Sequence, residues 1–110
     1  MRIARQDIIS RLVSGYGYSE HEAQQVAADL DTAAPAIQQA FEHWWKTGEV
    51  RLDTEVQGYT PQRLMDEYHF TPPNALLTMD WLLREPQQAL SLLREGYDTI
   101  RQEPEAPSSN

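Results

Sequence analysis

Apolar residues recur with helical spacing along most of this chain, and one stretch breaks the rhythm. Ile8, Ile9 and Leu12 make one apolar face and predict a first helix from about Arg5 to Ser14, ended by Gly15-Tyr16-Gly17-Tyr18. Ser19 and Glu22 then form an S-x-x-E capping box, in which the hydroxyl meets a free backbone N–H and the carboxylate reaches back. Ala23, Val26, Ala27 and Leu30 supply the inner stripe of the second helix. A turn across Asp31 to Pro35 follows, and Pro35 suits the first position of a third helix because its missing N–H would be unsatisfied there anyway. Ile37, Ala40, Phe41 and Trp44 face inward on that helix, and Gly48 is its stop.

The rhythm then changes from helical to alternating. Val50, Leu52, Thr54 and Val56 alternate with Arg51, Asp53 and Glu55, the period of a half-buried strand. A lone strand cannot satisfy its own edges, so the segment must fold back as a ribbon, lie extended on the surface, or pair across a homodimer. Thr60-Pro61 and Thr71-Pro72 are two N-cap-plus-proline starts, predicting helices over 61–68 and 72–84. Ala75, Leu76, Leu77, Met79, Trp81, Leu82 and Leu83 leave the second of these apolar nearly all round, as expected of a central helix. Pro86 restarts the chain in a last helix to about Arg101, with Ala89, Leu93, Tyr97 and Ile100 inward. The pattern predicts an all-α bundle of about six helices with one short extended or β-like segment near 49–56. One domain is expected over 1–102, with three-helix halves at 5–46 and 60–101, and 103–110 are expected to form a disordered tail.

Length and charge narrow what such a bundle does. At 110 residues one core suffices without metal or disulfide. Nine Lys and Arg against 17 Asp and Glu leave a net charge of -8, which repels a polyphosphate backbone and points to protein partners. With no cysteine there is no thiol chemistry or disulfide framework, and no apolar run has signal-peptide or membrane-spanning length, so a cytoplasmic protein is expected.

Thr60 to Leu83 resembles a helix-turn-helix: an eight-residue helix, a turn of about three residues, then a helix with alanine on its inner face. The turn lacks the glycine that family usually carries, and His69 stands nearest its place. Thr71-Pro72-Pro73 opens the second helix without an Arg or Gln to read base edges, leaving only Asn74. A structural corner is therefore expected, with no direct nucleic-acid contact. Residues 5–46 resemble a UBA-like three-helix bundle, through Gly17-Tyr18-Ser19 followed by Ala23, Val26 and Ala27, then Ala40, Phe41 and Trp44. The resemblance implies a partner-binding surface at the Gly17-Tyr18 loop and near Trp45. The alternative for Tyr18 is that it plugs its own bundle.

Tyr16, Gly17, Tyr18 and Trp45 are thus the candidate partner-binding residues. Trp44 and Trp45 point about 100° apart on one helix, so Trp44 belongs to the core stripe and Trp45 to its edge. For Trp45, partial burial under residues 49–59 competes with a role as an interface anchor. No nucleophile turn, phosphate-cradling loop or paired-histidine motif is present, and His21, His43 and His69 are scattered, so no catalytic residue, cofactor or metal is assigned. Glu20, Glu22, Asp29, Asp31, Glu42, Glu49, Asp53 and Glu55 concentrate in the first half, where an acidic face either solvates the fold or meets a basic partner. The expectation is a non-enzymatic protein-binding or regulatory module, similar in style to small bacterial accessory proteins. An acidic inhibitor of a nucleic-acid-binding protein is the second reading, and a histidine–carboxylate metal or enzyme site the third.

Overall fold

Helix starts and stops are set by partners for otherwise free backbone groups. The computed structural model describes residues 2–95 and contains α1 (Arg5–Tyr16), α2 (Glu20–Thr32), α3 (Pro35–Thr47), α4 (Pro61–Tyr68), α5 (Pro72–Arg84) and α6 (Pro86–Arg94). At α2 the capping box is complete: the Glu22 N–H donates to the Ser19 hydroxyl at 3.1 Å, and the Ser19 N–H donates to the Glu22 carboxylate at 2.9 Å. Thr60 and Thr71, each just before a proline, cap α4 and α5 through their hydroxyls alone, accepting from the N–H groups of Arg63 and Asn74. α1 runs two residues beyond its expected end. An internal glycine costs a helix only about 1 kcal/mol, so Gly15 is carried through, and the stop falls at Gly17. There φ is 73°, and the N–H groups of Gly17 and Tyr18 both donate to the Leu12 carbonyl.

The corner between α4 and α5 repeats that arrangement with different residues. His69 takes φ 60°, and the N–H groups of His69 and Phe70 both donate to the Leu64 carbonyl. In each corner a left-handed residue is followed by a buried aromatic, Tyr18 or Phe70, and then by a hydroxyl N-cap, Ser19 or Thr71. His69 thus adopts the left-handed backbone that glycine usually supplies at a helix stop.

α5 is the central helix, packed against α2, α3, α4 and α6. Ala75, Leu76, Met79 and Leu82 are fully buried on it, but so are Asn74 and Thr78, while Asp80 is 2 % exposed. The helix is therefore not an apolar rod, because its buried polar groups join elements that the sequence pattern treats separately. α6 ends at Arg94 with Glu95 in a turn. The rest of the expected last helix, with Tyr97 and Ile100, and the expected tail lie outside the described residues.

No strand forms in the segment between α3 and α4. One isolated bridge joins Val56 to Tyr59 across a two-residue turn, with φ 53° at Gln57 and 86° at Gly58, the sign a type I′ turn requires at both centres. The alternation is nonetheless real: Leu52, Thr54 and Val56 are half-buried, while Arg51, Asp53 and Glu55 are exposed. Val50, Leu52 and Val56 pack on the core and anchor the segment against it. The described residues thus form a compact all-α globule of six helices, in which no helix is long and apolar enough to cross a membrane.

Candidate functional site at the ends of α1 and α3

The last turns of α1 and α3 bring together Tyr16, Phe41, Trp44 and Trp45. Phe41 and Trp44 are buried, and their rings lie 5.4 Å apart between centroids. Tyr16 stands 5.6 Å from Trp44, and Trp45 stands 5.8 Å from Phe41, both half-buried at the margin. Over that margin lies Arg11, its guanidinium carbon 4.5 Å from the Trp45 ring centroid and 5.7 Å from that of Trp44. Arg11 also donates from Nη1 to the Trp45 carbonyl at 3.2 Å, placing a cation on a carbonyl of the last turn of α3, where the helix dipole is negative. The observed cover of Trp45 therefore includes α1, which the sequence reading did not foresee. Nothing in the spacing of two residues 34 positions apart signals the pair.

Tyr18 does not share that surface. It is 3 % exposed, and its hydroxyl bonds Thr71 Oγ1 and donates to Asn74 Oδ1 at 2.7 Å. The ring plugs the bundle and links the two corners, so the expectation of an exposed Tyr18 side chain is corrected. A phenol that can reach a buried amide gains a hydrogen bond without giving up its apolar burial. Gly17 is exposed beside it and forms the helix stop.

Most carboxylates of the acidic first half already have partners. Asp31 meets Arg5 at 3.3 Å, Glu42 accepts from the Arg2 N–H at 2.7 Å, and Asp29 accepts from Gln25 at 3.0 Å. Burial pushes the Asp29 carboxyl above its ordinary pKa, opposed by the Gln25 hydrogen bond and the nearby Arg84 charge. Glu49 faces His43 at 3.4 Å and Arg51 at 3.1 Å, and the His43 hydrogen bond and Arg51 charge hold its carboxyl below the usual range. Glu22 is occupied by the capping box. Among these acids Glu20, Asp53 and Glu55 remain exposed with no ion pair or hydrogen bond among the described residues. A cleft of about 330 Å³ lies between α3 and residues 51–53, lined by Gln39, His43 and Leu52 among others.

The histidines sit apart in the architecture: His21 is exposed on α2, His43 lies on α3 against Glu49, and His69 caps α4. Among the described residues no group of three or more His, Asp or Glu side chains is arranged to hold a metal ion. Comparison with protein-family models, with curated proteins and with solved structures finds no match to this chain.

Proposed function

We propose that the protein is a small acidic, non-enzymatic module that binds another protein through the aromatic margin at the ends of α1 and α3. The carrying observation is Trp45, half-buried beside the core rings and overlaid by Arg11. Tryptophan and arginine are the side chains most enriched among residues that dominate binding energy, and here each holds the other in place before any partner arrives. Tyr16 and Gly17 extend the same margin. The UBA-like pattern of residues 5–46 supports the same location. A cysteine-free chain suits a reducing compartment such as the cytoplasm.

The second reading, an acidic inhibitor of a basic protein, is supported by Asp53 and Glu55, which are exposed and have no ion-pair partner among the described residues. The discriminating experiment is affinity capture from the native host with the wild-type chain and with Trp45→Ala and Tyr16→Ala variants of unchanged circular dichroism. A protein retained by the wild type and lost by both variants is expected. Retention by both variants, with loss on Asp53→Lys/Glu55→Lys, refutes the aromatic site in favour of the acidic one.

A further inference from the structure

We propose that residues 50–55 form a docking edge for an extended, basic segment of another protein, which adds to them as a β-strand. The inference rests on the protein-binding reading but uses a surface separate from the Trp45 margin. Every peptide unit carries one donor and one acceptor that need partners. Among the described residues, no backbone N–H or C=O of Val50 to Glu55 makes an internal hydrogen bond. The neighbouring backbone bonds stop at either side: the Glu49 N–H donates to the Thr47 hydroxyl, and Val56 pairs with Tyr59.

The segment carries the in-and-out burial alternation that a strand-adding partner matches. Val50, Leu52 and Val56 fix it to the core, and the Gln57-Gly58 turn pins its far end. Side chains alternate in and out over 50–56, and residues 51–53 border the cleft against α3. Anchoring at Val50, Leu52 and Val56 meets part of the entropy of ordering this segment on folding, which lowers what is left to be lost on binding.

Charge selects the partner. Asp53 and Glu55 are exposed and have no counter-ion among the described residues, whereas Arg51 is held by Glu49 at 3.1 Å. Residues directly opposite on a paired strand face the same side, so a partner with Lys or Arg at alternate positions sets cations against both carboxylates. A second copy fits less well. Two-fold pairing centred on Asp53 places Arg51 opposite Glu55 twice, but it also sets Asp53 against Asp53 between chains that each carry -8.

The test titrates the full chain at low salt with an alternating Lys-Val heptapeptide, its Glu-Val counterpart, and a Lys-Val peptide N-methylated at alternate backbone positions. Amide NMR shifts read the site. Expected are saturable shifts confined to about 49–57 with the Lys-Val peptide, no binding of the Glu-Val peptide, and loss of binding on N-methylation, which keeps the charge but removes backbone donors. Asp53→Lys/Glu55→Lys should weaken binding about tenfold, as reversing two facing charge pairs predicts. Equal binding of the N-methylated peptide, shifts centred on Trp45, or no binding each overturn strand addition. So does sedimentation as a dimer with residues 50–55 protected from exchange, since the occupant is then a second copy. Trp45-dependent capture with no peptide binding refutes only this inference, whereas peptide binding with no Trp45-dependent capture refutes only the aromatic site.

Discussion

Removing the Asp80 carboxylate should destabilise the fold by far more than loss of a surface ion pair. α3 begins at Ala34, which has no side chain to cap it. Asp80, on α5 and 46 residues away, supplies the cap: its Oδ1 accepts from the Ala34 N–H at 3.0 Å, and its Oδ2 accepts from Arg84 at 2.9 Å. Asp80 is 2 % exposed, whereas the Arg84 side chain is 58 % exposed. A hydrogen bond to a charged group contributes about 1.5–3 kcal/mol, and a carboxylate at a helix N-terminus about 0.3–1 kcal/mol. A solvent-exposed guanidinium adds at most about 1 kcal/mol. Asp80→Ala should therefore cost about 2–5 kcal/mol, equivalent for a domain of this size to a drop in Tm of roughly 10–25 °C. Asp80→Asn, which keeps an acceptor but loses the charge, should fall between that variant and the wild type. Arg84→Ala should cost under about 1 kcal/mol. Urea unfolding followed by tryptophan fluorescence measures all three at unchanged m-value. If Asp80→Ala lies within about 0.5 kcal/mol of wild type, or if Arg84→Ala costs as much, Asp80 is not capping α3 and the reasoning fails.

Three further outcomes follow from the same geometry. Tyr18→Phe keeps the plug but takes a partner from buried Asn74, and should cost about 1–3 kcal/mol in the same unfolding assay; a neutral result removes the proposed link between the two corners. His69→Gly should stabilise by up to about 1 kcal/mol, because the left-handed backbone at His69 carries a Cβ penalty of about 1–2 kcal/mol, partly offset by the looser unfolded chain. Asp29→Asn should stabilise the protein at neutral pH. A carboxyl whose folded pKa is raised binds its proton more tightly in the native state, so wild-type stability falls as pH rises through the window from about 3.8 to the raised value. The advantage of Asp29→Asn should shrink as pH falls through that window, and an advantage unchanged by pH contradicts the burial argument.

Local features were legible because local physics sets them. The capping box at Ser19, the Thr-Pro starts at 60 and 71, the glycine stop at 48 and the centrality of α5 all follow from neighbours within a few residues, and so does the alternation over 50–56. The candidate site was legible only in part. Trp45 reads from the sequence as the edge of the core stripe and Tyr16 as a candidate binding aromatic in the turn expected after the first helix, but whether Tyr18 faces solvent or the interior depends on Asn74, 56 positions away. Arg11 over Trp45 and Asp80 at Ala34 were equally hidden. In each case a polar group is satisfied by one from a distant element, and sequence spacing carries no record of which helix ends meet. Periodicity determines which face of a helix turns inward; only the packed tertiary structure decides which buried donor finds which acceptor there.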